Sequence, residues 1–242
     1  MKIKFRPLDE KLEGIIDPPK PASQFLPEWY KNMPQFLPFT GDSTHGLSPY
    51  NNQSTNTTLK HCPPFLDSLT TGYIYSLPAD IEVRIGIDGY LSFKWRTDGD
   101  FVIAHTEEQH PGLPSVVDGD SSVMKWGFDF RITTPPGYST MFTHPFNRHD
   151  LPFRTFTGVV ETDSYPQAVQ FPFQFLSSQI TEENLIIKRG TPLVQIIPFK
   201  RESWTSEVEK PDYKKAFKDS FMFNSTIVKS YKNNFWKKKT YK

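Results

Sequence analysis

The chain reads as a mainly β protein, a jelly roll or β-barrel with an irregular N-terminal arm and a short helical C-terminal tail. Three observations predict this. The 22 prolines and 13 glycines leave no room for a long helix before about the last thirty residues, because proline ends helices and glycine weakens them. Phe, Tyr and Trp make up 15% of the chain, and aromatic side chains fit the half-buried surface of a sheet well. Several short segments alternate apolar and polar residues with the period of two that a strand needs. At 242 residues the chain is long enough to bury one full core.

Residues 1–56 form the arm: DPPKPASQFLPEWYKNMPQFLPF places a proline every few positions, which favours extended chain with one short helical turn near Pro27 to Asn32. A polar stretch, TGDSTHGLSPYNNQSTNTT, separates it from a core over 57–204. A short helix from Pro63 to Leu69 ends at Gly72. Ile81, Val83 and Ile85 then alternate with charged residues, as do Leu91, Phe93 and Trp95, and Asp88-Gly89 between them calls for a tight hairpin turn. VMKWGFDFRIT reads as one strand whose inner face is Met124, Trp126, Phe128, Phe130 and Ile132. Further strands are predicted at Tyr138–Thr143, Phe153–Glu161, Ala168–Phe175, Leu185–Lys188 and Leu193–Phe199. The tail, 205–242, holds two weakly helical segments, Pro211–Phe221 and Ser225–Trp236, and the three parts are expected to fold as one unit.

Cys62 is the single cysteine, so an intrachain disulfide and a cysteine zinc cage are excluded. The first residues carry no signal-like apolar run, and no stretch of about eighteen apolar residues exists. The expectation is a protein that is neither secreted nor inserted in a membrane. Net charge is +1, yet Lys229–Lys242 carries lysines and aromatics with no acid. Such a segment can grip phosphates and stack on bases. The reading preferred here is a terminal element whose aromatics dock on the protein while its lysines stay in water.

Three stretches carry a resemblance. TTPPGYS at Thr133–Ser139, FTGVVETDSYPQAV at Phe156–Val169 and IIKRGTPLVQIIPF at Ile186–Phe199 resemble, in order, the phosphate loop, the Gly-Val-Ile-Asp-x-Asp-Tyr turn and the Gly-x-x-x-x-Gln strand of the dUTPase and dCTP-deaminase superfamily. The resemblance covers about a quarter of the chain and implies a distorted jelly roll that trimerises. It marks Glu161 and Asp163 as catalytic candidates, and Gly137, Tyr138, Ser139, Tyr165 and Gln195 as ligand-binding candidates, with Mg as the metal. The departures are specific. Glu161 stands where the superfamily's water-activating carboxylate follows Gly-Val-Ile, and Ser164 lengthens the turn before Tyr165. Pro136 and Gly137 occupy the place of the Arg-Ser pair, and no Gly-rich C-terminal motif with its arginine follows. A displaced base and missing phosphate donors remove most of the rate that such a site supplies. Since turns are where glycine's freedom counts, Gly158→Val is expected to damage folding.

His105 and Glu107, two apart, also resemble the start of the two-His, one-carboxylate triad of jelly-roll Fe(II) oxygenases. His144 or His149 would complete it, and Arg148 or Arg154 would anchor 2-oxoglutarate. The competing reading is a polar loop with solvated histidines. Cys62, beside Pro63 and Pro64, reads as a structural thiol.

Over nearly its whole length the chain is similar to an uncharacterised family of hypothetical proteins of tailed bacteriophages, especially marine myoviruses. The stretches that carry this are FLPEWYKNMP, TLKHCPPFLDSLTTGYIYSLPADIEV, TPPGYSTMFTHPFNR, GVVETDSYPQAVQFPF, KRGTPLVQIIPFKRESW and FWKKKTYK. The resemblance implies a host cytoplasm or a virion. The function expected is a non-catalytic structural or interaction protein without a cofactor, forming homo-oligomers, with virion proteins as further partners. The alternatives are a nucleotide-binding protein or hydrolase related to dUTPase, and an Fe(II)/2-oxoglutarate-type oxygenase.

Overall fold

The computed structural model describes residues 1–8, 10, 13, 16–36, 58–85, 91–95, 101–105, 109–113, 123–127, 130–176, 185–225 and 230–242. The protein is mainly β, and its strands pair antiparallel throughout. The strands are β1 (Lys4–Pro7), β2 (Lys20–Pro21), β3 (Tyr73–Ser76), β4 (Ile81–Ile85), β5 (Leu91–Lys94), β6 (Val102–Ala104) and β7 (Met124–Trp126). They continue with β8 (Phe130–Thr133), β9 (Tyr138–Thr143), β10 (Phe153–Thr155), β11 (Gly158–Val160), β12 (Phe171–Phe175), β13 (Leu185–Ile187) and β14 (Pro192–Lys200). Among the described residues four α-helices accompany them: α1 (Glu28–Asn32), α2 (Pro63–Thr70), α3 (Tyr213–Ser225) and α4 (Ser230–Asn234). None is long and apolar enough to cross a membrane.

The chain divides into two compact units. The first comprises Met1–Phe25, Thr71–Glu202 and Tyr241–Lys242, and holds all the sheets. A five-stranded sheet runs β11-β9-β14-β3-β2, a four-stranded one β10-β12-β7-β6, a three-stranded one β13-β4-β5, and β1 pairs with β8. Each order is open, so no sheet among the described residues closes into a barrel. The proline-rich beginning of the chain is not merely laid on the surface: β1 pairs with β8 and β2 with β3. The predicted hairpin is present, Val83 opposite Phe93 and Ile85 opposite Leu91; its Asp88-Gly89 turn lies outside the described residues.

Aromatic residues fill the core of this unit. Trp126, Phe153, Phe171 and Phe173 are buried, and Trp126 stacks on Phe173 with ring centroids 3.7 Å apart and planes 5° from parallel. Phe153 meets Trp126 edge-on at 5.0 Å. Such pairs add to the area term that drives burial. Tyr241, near the chain's end, meets Tyr73 edge-on at 5.8 Å, so one tail aromatic packs as the docking reading requires.

Two predicted strands are each divided in the structure. VMKWGFDFRIT becomes β7, in the four-stranded sheet, and β8, paired with β1; Met124, Trp126, Phe130 and Ile132 are buried as expected, while Phe128 lies outside the described residues. Phe153–Glu161 becomes β10 and β11 in separate sheets. The physical reason is visible at the break. Phe156 N–H donates to Pro172 O at 2.8 Å and Thr157 Oγ1 hydrogen-bonds Thr143 Oγ1 at 2.8 Å, so the chain leaves one sheet's partner and takes up the other's. Gly158 stands on β11 with no positive φ, and a Cβ there meets no atom within 4 Å. The expected damage from Gly158→Val is therefore corrected: strand geometry accepts β-branched residues.

The second unit comprises Leu26–Thr70 and Ser203–Thr240. Tyr30 and Phe65 bring α1 and α2 together at 5.9 Å between ring centroids, and Thr58 Oγ1 caps the turn before α2 by accepting from Lys60 N–H at 3.3 Å while donating to Pro34 O at 2.6 Å. Trp236 Nε1 donates to both oxygens of Asp67, at 3.1 and 3.0 Å, and Lys239 pairs with the same carboxylate. The lysine and aromatic tail is thus held on α2 by one indole and one ammonium. Tyr231 and Phe235 stay exposed.

Candidate functional site: a clasp between two turns

β9 begins directly after the turn Pro135–Gly137, and β11 ends one residue, Glu161, before the turn Thr162–Ser164. Because β11 and β9 pair with Val160 opposite Thr140, the two turns meet at one end of the sheet. Thr162 Oγ1 lies 2.8 Å from Thr134 Oγ1 and 2.7 Å from Thr140 Oγ1, all three hydroxyls buried. A hydroxyl both donates and accepts, so Thr162 links the other two in an open relay that ends where Thr134 Oγ1 donates to Tyr138 O at 3.1 Å, with no hydroxyl unpaired.

Next to this relay stands Asp163. Gly137, at φ +82°, turns its N–H to the carboxylate at 2.9 Å; that backbone region favours glycine. Arg201 completes the site. It follows the last residue of β14, Lys200, which pairs with Tyr138, and its N–H donates to Gly137 O at 2.9 Å. Its guanidinium grips both oxygens of Asp163, Nη1 to Oδ1 at 3.0 Å and Nη2 to Oδ2. Nη1 also donates to Tyr138 O at 3.1 Å and Ser139 Oγ at 3.0 Å. A planar fork on a carboxylate is the strongest ion-pair geometry that side chains offer. Arg201 and the Gly137 N–H hold the Asp163 carboxyl well below its ordinary range, at about 2.

Of the residues that the dUTPase resemblance marks, the structure brings together Gly137, Tyr138, Ser139 and Asp163. Glu161 lies one turn away and is exposed, contributing only a field at Arg201. Tyr165 is 40% exposed. Gln195 is placed elsewhere in the sheet. It is buried in β14, its Oε1 accepting from Phe146 N–H at 2.8 Å and its Nε2 donating to Thr71 O at 2.7 Å, so it acts as a strut between segments.

Arg201 was not legible as a site residue, because no motif surrounds it. The signal that would have found it is the β9–β14 register, which sets it beside the Gly137 turn.

The histidines are placed differently. His144 Nδ1 accepts from Thr155 N–H at 3.3 Å, which leaves Nε2 to donate to Arg148 O at 3.0 Å. Both nitrogens of the neutral ring are spent, with none left for a metal. Burial lowers its pKa to about 4, the nearby Arg154 adding to the effect. Arg148 is held by Asp150 through Nε and Nη2, both at 2.9 Å, and His149 is exposed. His105 meets His110 edge-on at 6.1 Å, and burial, Lys125 and His110 depress its pKa. Glu107 lies outside the described residues. Among the described residues, no three His, Cys, Asp or Glu side chains group as a metal site. Glu107, which the triad needs, is not among those residues, and no chemistry is derived through iron.

Two consequences for stability follow from these pKa values. The unfolded His144 takes up a proton near 6.5 and the folded one only near 4, so the unfolded state binds more protons between those values. Stability is fully present above pH 6.5 and falls as pH drops towards 4, by roughly 3 kcal/mol. His144→Gln removes that segment of the slope; urea unfolding at pH 7, 5.5 and 4 measures it, and an equal slope in both proteins contradicts the assignment. For Asp163 the folded value lies below the unfolded 3.8. Its contribution is present above pH 3.8 and is lost as pH falls towards 2. Asp163→Asn should lower the melting temperature at pH 7 and flatten its decline below pH 4, read by circular dichroism.

In searches of protein-family models and of curated proteins, nothing matches this chain.

Proposed function

We propose that the chain is a non-catalytic structural or interaction protein, phage-encoded, acting in the host cytoplasm or the virion, on a dUTPase-like distorted jelly roll that forms homo-oligomers. The antiparallel sheets and the meeting of the Gly137 and Asp163 turns support the jelly-roll kinship. The observation that carries the non-catalytic reading is the bidentate grip of Arg201 on Asp163, closed by Gly137 N–H. A general base needs a free lone pair near the proton it takes and a pKa near the working pH. This carboxylate is turned towards its own protein and titrates at about 2. Phosphate binding needs donors aimed outwards, whereas the guanidinium and the turn's N–H are aimed at Asp163.

A thermal-shift assay tests this reading with dUTP or dCTP and Mg²⁺, and with 2-oxoglutarate and Fe²⁺. A ligand at a hundred times its Kd adds about 2.7 kcal/mol to stability, several degrees in a domain of this size. Melting temperatures within one degree or so of the free protein are expected with all of them. A shift of several degrees with any one of them contradicts the reading. Detection of the protein in purified virions by mass spectrometry would support the structural role.

A further inference from the structure

Docking accounts for only half of the lysine and aromatic tail. Trp236 and Lys239 are spent on Asp67, and Tyr241 packs on Tyr73. Their neighbours are not spent in this way. Tyr231 is 39% and Phe235 58% exposed, and the two rings lie 6.4 Å apart with planes 31° from parallel. Lys232, Lys237 and Lys238 are exposed as well, and among the described residues none of these three forms an ion pair. From Tyr231 to Lys242 the sequence holds no acid.

This group of side chains is held in place by the part of the tail that docks. Tyr231 O accepts from Phe235 N–H at 3.0 Å and from Trp236 N–H at 2.9 Å. The end of α4 therefore sets Tyr231 and Phe235 on one face, four residues apart. The very next residue, Trp236, is tied to α2 by its indole. The anchor falls in the middle of the basic run, with Phe235 before it and Lys237 and Lys238 after it. Chain that is already ordered loses less freedom when it binds a partner.

We infer that this segment binds single-stranded nucleic acid, with Tyr231 and Phe235 stacking on bases and Lys232, Lys237 and Lys238 holding phosphates. The inference rests on the interaction-protein reading and gives it a partner. Lysines without acids among them attract phosphates and release the strand's counterions. An exposed ring accepts any base, since every base has a π-face. A duplex keeps those faces inside its stack. An anionic membrane would also attract the lysines, but a helix that lies in a membrane surface needs a broad apolar face. Helix α4 has five residues, and Lys232 and Asn233 follow its single ring.

Fluorescence anisotropy tests it, with the full-length protein titrated into a labelled strand of about 15 thymidines, near the upper site size of single-strand binders. At about 50 mM salt the expected Kd is between about 1 and 100 μM, the range of sequence-independent binding. A duplex of the same length should bind roughly tenfold more weakly, for want of stacking. The logarithm of Kd should rise with that of salt at a slope of about 2, some 0.7 for each of three phosphates. Lys237→Gln/Lys238→Gln should bring the slope down to about 0.7. Tyr231→Ala/Phe235→Ala should weaken binding about 25-fold, fivefold for each ring, and leave the slope unchanged. All four side chains are exposed, and circular dichroism checks that each variant folds. No binding at about 100 μM, a duplex bound as tightly as the strand, either variant behaving as the wild type, or tighter binding to vesicles of phosphatidylserine and phosphatidylcholine overturns the inference. Such a failure, with melting temperatures that ignore nucleotides, removes this inference alone. A melting temperature that dUTP raises equally in the wild type and in Tyr231→Ala/Phe235→Ala removes the non-catalytic reading instead.

Discussion

Gly72→Ala should destabilise the protein by about 3 to 5 kcal/mol, the range of a severe core lesion. Gly72 follows α2 in the link to β3 and lies at φ +74°. A Cβ there would lie 2.1 Å from Ile196 O and 3.2 Å from Ile197 Cγ1. The carbonyl belongs to the middle of β14, whose ladder with β9 and β3 holds it in place. It cannot swing aside as a side-chain tip could. Left-handed backbone alone costs a non-glycine residue about 1 kcal/mol, and the clash supplies the rest by prising β3 from β14. Gly72 O also accepts from Ala22 N–H at 3.0 Å, so a shifted backbone would loosen β2 as well. Denaturant unfolding measures the loss. A cost under about 1 kcal/mol, the size of an ordinary surface change, contradicts this close approach.

Trp126→Ala should cost a similar amount, about 3 to 5 kcal/mol. The indole is fully buried between Phe153 and Phe173, with Phe175 6.3 Å away. Truncation leaves a cavity whose walls are other aromatic rings on paired strands, and these cannot collapse into it without breaking register. Trp126→Phe separates packing from polarity. Among the described residues Trp126 Nε1 has no hydrogen-bond partner, and a buried unpaired donor costs about 1 to 3 kcal/mol. Phe keeps a ring against Phe173 and removes that donor, so it should recover most of the stability that Ala loses. Equal losses for Ala and Phe would contradict the stacking account.

Local chemistry was the legible part of the fold. Period-two alternation located the β4–β5 hairpin, and the predicted Tyr138–Thr143 strand has the same bounds as β9. Proline at its start and glycine past its end located α2. Alternation could not show where one apolar run leaves its sheet for another. Phe153 and Thr155 are buried on β10, whereas Val159 on β11, in the other sheet, is exposed, and the sequence of the run does not mark the change of partner at Phe156–Thr157. Gly72 read only as a helix end, since its close contact is with a residue more than a hundred positions away.

The site was half legible for the same reason. The turn residues Gly137 and Asp163 are among those that the dUTPase resemblance marks. Arg201, by contrast, looks like one more cation in FKRESW, and only strand pairing gives it a role. Glu161 held the position that the dUTPase resemblance assigns to the base, yet it is Asp163 that the folded chain brings to the Gly137 turn. A sequence displays which groups could do chemistry, while the partners that neutralise them are set by tertiary register.

The most direct test of the clasp is the titration of the Asp163 carboxyl, followed by carbon nuclear magnetic resonance in the folded protein with and without dUTP and Mg²⁺. Held by Arg201 and Gly137 N–H at about 2, it should remain ionised from pH 7 down to about pH 3 and should not respond to the nucleotide. A midpoint near 3.9, the value of a free aspartate, or one that moves when nucleotide is added, would contradict a structural clasp and return Asp163 to the candidates for catalysis.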